Sequence, residues 1–361
     1  MKPQPQTTVA APMNPMSANQ STVDDRTDYD VIVVGCGGWG LAVLKVLSDM
    51  GLRVLGIERQ EICHNLRRYM KHMVMHSVLS YMILDPEDAI VARKGDEYHP
   101  LIEELIQSYS DFAAKFNLPI RTHQELVDIE GAKDNFVLAV RDNEGRASRL
   151  KAKRVVLATG SYDEPNLAGI PGESNGSVQH YFHEWEHIKN KRILFIGGGF
   201  SSADGIIALC LRNQILWVVR KSNDAVEKML TDQKTVWGQP DAQLVNTEIL
   251  TDSQVTSLEN NTAVVQTPGG RQTWDFDLCY MLIGHKPNQS LCTRLLNGNL
   301  DFDEETFESC ERPGVYLVGA LAKKHLEHIG LTHNLCPDND GVRYIERIRS
   351  AMQKEFNCNR T

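Results

Sequence analysis

At 361 residues, 42% of them hydrophobic and 24% charged, the chain has ample material for a buried core and reads as one large or two medium domains. A formal charge of −9 excludes a binder of large polyanions, because affinity for a phosphate backbone rests on concentrated Lys and Arg, so nucleic acid is not an expected partner. Nowhere do about 18 uncharged apolar residues run together, which excludes a membrane-spanning helix.

Residues 1–28 are rich in Pro, Gln, Thr, Ser and Asn and contain no apolar run that could enter a core. They lack the apolar region of a signal peptide, and Asp24-Asp25 suits a transit peptide poorly, so a disordered tail is expected. Eight scattered cysteines, with no C-x-x-C pair, suit reduced thiols and a cytoplasmic location.

Val31–Val34 then form a short apolar run of the buried parallel-strand kind. Gly35, Gly37 and Gly40 complete G-x-G-x-x-G, with Gly38 inside the turn, and Leu41, Leu44 and Leu47 predict a buried helix behind it. A second apolar run, Arg53–Ile57, ends at Glu58, 18 residues beyond Gly40. Each residue type has a task there. The first glycine permits the turn, the second lets the backbone approach a pyrophosphate, and the third lets helix and strand pack. The helix N-terminus offers unpaired N–H groups and a partial positive charge to the diphosphate. Glu58 would accept hydrogen bonds from a ribose diol and repel a 2′-phosphate, with Arg59 beside it.

The segment after the ribose acid, "NLRRYMKHMVMHSVLSY", supplies Met and Tyr residues for either a substrate wall or core packing. Leu101, Ile102, Leu105, Ile106, Tyr109, Phe112 and Ala113 mark one helical face, and Phe136–Val140 opens an antiparallel β-meander. His180, His183 and His187 would share a face if helical, which raises a metal site against the plainer reading of a polar linker; the linker is the reading preferred, and no metal is expected.

At Ile193 the nucleotide plan recurs as "ILFIGGGFSSADG". Gly197 and Gly199 keep the first two positions, Ser202 replaces the third glycine, and Ser201 stands beside it. The following strand, Ile215–Val219, ends in Arg220-Lys221 instead of an acid. Two cations there suit the 2′-phosphate of NADP; the alternative is a solvated basic pair. Two turns with opposite end-charges therefore imply two dinucleotides, FAD and NADPH.

These residues resemble the two-dinucleotide flavoprotein superfamily, which includes thioredoxin reductases and flavin-containing monooxygenases. "RVVLATGSYDEPNLAGIPG" is similar to that superfamily's ATG segment, placing Thr159 and Gly160 at the FAD site; "YMLIGHKPN" resembles its G-x-x-P-N segment, and "GVYLVGA", with Gly319 and Ala320, its strand returning to the flavin. The combination is most similar to bacillithiol disulfide reductases. The resemblance implies an α/β fold of two Rossmann-like domains with a small antiparallel β-meander: an FAD domain at 29–172 and 305–361, interrupted by an NADPH domain at 173–304. It also implies a homodimer and a small-molecule substrate. His325, His328 and His333 fall where the superfamily's chain passes the isoalloxazine, and His180 matches part of a monooxygenase motif, F-x-G-x-x-x-H, with Asn175 in place of its aromatic residue. Bacillithiol reductases carry a cysteine just before the last glycine of the first turn; Trp39 stands there, and the cysteine is Cys36. Two second half-reactions stay open: a monooxygenase, and a reductase of a low-molecular-weight disulfide. Trp39, His180, His325 and His328 are the candidate catalytic residues.

Overall fold

Extended apolar runs alternating with helices build two separate sheets, one mixed and one parallel, and in each a parallel strand ends in a glycine turn. The computed structural model describes residues 23–322 and 342–356. The first part of the chain contains β1 (Val23–Val34), α1 (Gly38–Asp49), β2 (Val54–Ile57), α2 (Ala89–Lys94), α3 (Ile102–Lys115), β3 (Ile120–Arg121), β4 (Gln124–Ala132), β5 (Asn135–Asp142) and β6 (Ala147–Leu157). After β7 (Glu164–Pro165) come β8 (Val178–Gln179), β9 (Arg192–Ile196), α4 (Phe200–Leu209), β10 (Gln214–Val218), α5 (Asn223–Val236) and β11 (Thr247–Leu250). The strands β12 (Gln254–Ser257), β13 (Thr262–Thr267), β14 (Gly270–Asp275), β15 (Leu278–Met281) and β16 (His285–Lys286) precede α6 (Gln289–Leu296), β17 (Val315–Leu317) and α7 (Val342–Phe356).

The first sheet has seven strands in the order β3-β2-β1-β6-β5-β4, with β17 also paired to β6. Strand β6 does two jobs. Its first half pairs antiparallel with β5, from Arg141↔Ala147 to Phe136↔Ala152, while it runs parallel to β1 from Arg149 to Leu157 and to β17 at its end. One long strand thus joins the expected meander to the nucleotide-binding sheet. The second sheet, β11-β10-β9-β15-β8, is parallel throughout, and β12-β13-β14 form a separate antiparallel sheet that sequence reading does not anticipate. The mixed α/β architecture with two nucleotide-type sheets agrees with the expected fold.

Three expected boundaries shift. Strand β1 begins at Val23, inside the stretch expected to be a disordered tail, with Val23 opposite Arg149 and Asp28 opposite Lys151. The chain rejoins the first core through Cys292, Leu295 and Leu296 of α6, before residue 305. Conversely, Met70 of the segment after β2 is 4% exposed within the core of the second sheet. The final helix, α7, starts at Val342. No described helix is long and apolar enough to cross a membrane.

Candidate active site

The first glycine turn meets its expected geometry. Gly35 has φ of +97°, and a Cβ built on Gly40 would lie 1.9 Å from the Gly35 carbonyl oxygen, so α1 approaches β1 as closely as only glycine permits. A Cβ on Gly37 would meet nothing within 4 Å, because that position opens into a cavity of about 570 Å³. Gly37 is the N-cap of α1 and supplies no side-chain cap, which leaves the helix's first N–H groups to a ligand. Glu58, only 9% exposed, lines the same cavity. Its Oε2 accepts from the Cys36 N–H at 2.8 Å and its Oε1 from the Gln60 N–H at 3.1 Å. Those bonds fix the carboxylate and leave lone pairs for a sugar diol.

Gly35, Gly38, Trp39, Arg59, Thr159, Gly160, Gly319 and Ala320 also line this cavity. Arg59 is committed to an ion pair, Nη2 to Asp163 Oδ1 at 2.8 Å. The Trp39 ring lies on Gly319, whose Cβ would stand 2.7 Å from Trp39 Cδ1. Asn65 lines the cavity too, and its buried Oδ1 has no hydrogen-bond partner. Glycine cradle, helix N-terminus, clamped acid and orphaned acceptor form a donor and acceptor set that fits a flavin adenine dinucleotide.

The second turn follows the same plan with a different packing device. A Cβ on Gly197 would sit 2.3 Å from the Leu282 carbonyl oxygen, whereas one on Gly199, the N-cap of α4, would meet nothing within 4 Å. Ser202 takes the inward place that Gly40 has in the first turn: it is fully buried and its Oγ is unpartnered. Close helix-to-strand approach comes from Gly205, where a Cβ would stand 2.6 Å from the Phe195 ring. Sequence reading passed over Gly205. Ser201, not Ser202, faces a second cavity. The stem of Lys221 lies over the turn, its Cδ 3.1 Å from a Cβ built on Gly198. Arg220 and Lys221 are both exposed, and neither ion-pairs with another described residue. Cations left free at this strand end fit a 2′-phosphate.

The second cavity, about 240 Å³, opens between the two turns, and Tyr69 and Tyr162 line both cavities. Their ring centroids are 4.6 Å apart in an edge-on contact. The His285 ring lies tilted against Tyr162 at 3.9 Å and Tyr181 at 4.7 Å, while the Arg68 guanidinium sits 4.2 Å above the Tyr181 ring. Burial, reinforced by Arg68, pushes the His285 pKa down to about 4, which keeps the ring neutral at physiological pH. Asp204 of α4 lines this cavity and is 3% exposed. Its Oδ1 accepts from Trp237 Nε1 at 2.8 Å and from Gln233 Nε2, yet burial outweighs both bonds and raises the carboxyl to about 6. A signal for Asp204 exists in the sequence: it is the sole charged residue in the apolar stretch Phe200–Leu211. Tyr69, Tyr162 and His285 carry no comparable local signal.

The histidine reading needs correction. Residues 180–187 are irregular, not helical, so His180, His183 and His187 share no helical face; His183 instead hydrogen-bonds the Tyr69 carbonyl, and His187 is exposed. Among the described residues no His, Cys, Asp and Glu group could hold a metal. His180 lines neither cavity, and its buried Nδ1 has no partner. His325, His328 and His333 lie outside the described residues. Cys36 is fully buried and Cys63 is 2% exposed, their thiols pushed upward by burial, Cys63 to about 12.

Two sheets, each with parallel strands, a glycine turn and a cavity at the ends of those strands, define an oxidoreductase that uses two dinucleotides. A family model for pyridine nucleotide-disulphide oxidoreductases matches residues 32–319, and the chain belongs to that family. Its cofactors are FAD and a nicotinamide dinucleotide. Bacilliredoxin reductase Bdr of Bacillus subtilis (strain 168) is 23% identical over 302 residues, which span 81% of this chain and 89% of that protein. The bacillithiol disulfide reductase Bdr from Bacillus cereus shares the fold with a TM-score of 0.75 at 20% identity, covering 91% of this chain and 100% of that one. A flavin-containing monooxygenase from Stenotrophomonas maltophilia does so with a TM-score of 0.69 at 16% identity, covering 92% and 99%.

Proposed function

We propose that this chain is an NADPH-dependent flavin monooxygenase acting on a soft nitrogen or sulfur centre of a small molecule. For a tertiary amine the balanced reaction is amine, O₂, NADPH and H⁺ giving amine oxide, NADP⁺ and water. The observation that carries the reading is the state of the thiols. Cys63 is the single described cysteine lining the first cavity, and its thiol is buried and held protonated, hence a poor nucleophile. No described cysteine lines the second cavity. The bound flavin supplies hydride acceptance and electron delivery to oxygen. In this reading Gly37, Glu58 and Asn65 hold its dinucleotide, α4 and Arg220-Lys221 hold NADPH, and Trp39 shields the ring from water.

Incubating the FAD-loaded enzyme with NADPH, labelled oxygen and a panel of amines and thioethers should place the label in product. The second reading, reduction of a low-molecular-weight disulfide, is supported by the whole-length likeness to bacilliredoxin reductase. Anaerobic, NADPH-dependent turnover of a small disulfide, lost in Cys63→Ser or Cys36→Ser, would replace the first reading with the second.

A further inference from the structure

The second cavity has a marked imbalance of hydrogen-bonding groups. Both bonds to Asp204 use Oδ1, and no described residue donates to its Oδ2. Gln233, 1% exposed, spends its amide N–H on Asp204 and leaves Oε1 buried with no partner. His285 Nε2 is likewise buried without a partner. All three residues line this cavity, and the rest of the wall is largely apolar, including Met70, Met73 and Phe200. Acceptors without donors cost stability when buried, so this arrangement calls for a ligand rich in N–H groups. A neutral amide could answer Gln233, but a carboxylate as desolvated as Asp204, with Oδ2 still open, is matched best by a positive charge. The lining contains no Lys or Arg to supply one.

We infer that this cavity binds an organic cation, a primary or secondary ammonium whose N–H groups reach Asp204 and Gln233 while its hydrocarbon body lies against Met70, Met73 and Phe200. The inference rests on the monooxygenase reading for the fate of that amine, but not for its binding. Methionine and aromatic side chains suit the carbon atoms next to an ammonium, through polarisable sulfur and ring quadrupole.

The test compares benzylamine with its neutral isostere benzyl alcohol on the FAD-loaded enzyme, without NADPH, by calorimetry and by perturbation of flavin absorbance. Native enzyme should prefer the amine by roughly ten-fold to a hundred-fold, the range set by one charge-assisted hydrogen bond. Asp204→Asn keeps an acceptor for Trp237 and Gln233 and should abolish that preference; Gln233→Leu should reduce it several-fold. NADPH affinity, measured separately, should stay within about three-fold in Asp204→Asn. Equal affinity of native enzyme for amine and alcohol would overturn the inference. So would an Asp204→Asn variant that keeps the preference, or one that keeps it and loses NADPH binding, since the carboxylate would then serve the nicotinamide amide. Amine preference without label in any product would sink the monooxygenase reading and leave this one standing.

Discussion

Asp204 carries a cost that function must explain. Its pKa rises from 3.8 in the unfolded chain to about 6 in the fold, so the folded state binds more protons between those values. Stability contributed by the protonated form is therefore present below about pH 4 and is lost as pH rises through 6. At pH 7.5 the charge destabilises the fold by up to about 3 kcal/mol, and Asp204→Asn should melt several degrees higher there, the gain vanishing near pH 4. A melting difference independent of pH would mean that the carboxylate is not desolvated. The glycines offer a paired contrast. A side chain at Gly37 enters open cavity, so Gly37→Val should fold yet release its FAD, whereas Gly40→Ala drives a methyl into the Gly35 carbonyl and should fail to accumulate as folded protein. Comparing soluble yield with bound flavin in the two variants checks both halves. The first turn was legible because its parts are close in sequence, from Gly35 to Glu58. Asp204 stands out locally as the one charge in an apolar stretch, but Gln233 lies 29 residues away and meets it only through the packing of α4 on α5, so no local pattern joins the pair.

At the scale of elements, the segment after β2 behaves as a staple between the two sheets. The Lys71 N–H donates to the His183 carbonyl at 2.9 Å, and Trp185 Nε1 donates to the Lys71 carbonyl at 2.9 Å. Met70 is buried in the second core, and Lys71 ion-pairs with Glu186 at 3.4 Å. The same bonds explain why the histidine spacing misled. The His183 carbonyl, which a helix would pair within itself, is spent across the gap on the Lys71 N–H, and the backbone stays irregular. A staple of this kind holds the two cavities in one fixed relation, with Tyr69 and Tyr162 at their junction. Trp185→Ala removes both the donor and the packed ring. It should slow NADPH-driven flavin reduction by roughly five- to fifty-fold in stopped-flow, in line with a lost, partly buried hydrogen bond and its packed ring, while NADPH affinity holds within about three-fold. Amide exchange across residues 69–73 should rise in parallel. Unchanged reduction and exchange would mean that other contacts fix the two sheets.

Across the whole molecule, charge is distributed against the reductant. The chain carries −9 overall, and NADPH brings a diphosphate and a 2′-phosphate of its own, so long-range attraction cannot recruit it. In the proposed NADPH-dependent reading, binding would rest on local features at the second turn: the N-terminus of α4 for the diphosphate, and Arg220 with Lys221 for the 2′-phosphate. On the same reading the first turn, with Glu58 at the matching strand end, would repel that phosphate, and one charge difference would sort two dinucleotides between two similar sites. Each charge-assisted contact contributes about 1.5–3 kcal/mol, and the two cations act on one group and are not additive. Arg220→Ala combined with Lys221→Ala should therefore weaken NADPH by roughly ten-fold to a thousand-fold and leave NADH within about three-fold. Both cations are exposed, so added salt should weaken NADPH binding to the native enzyme more steeply than to the double variant. Equal losses for NADPH and NADH would show that the pair holds the diphosphate or supports the fold. A native preference for NADH would remove the 2′-phosphate from the site altogether.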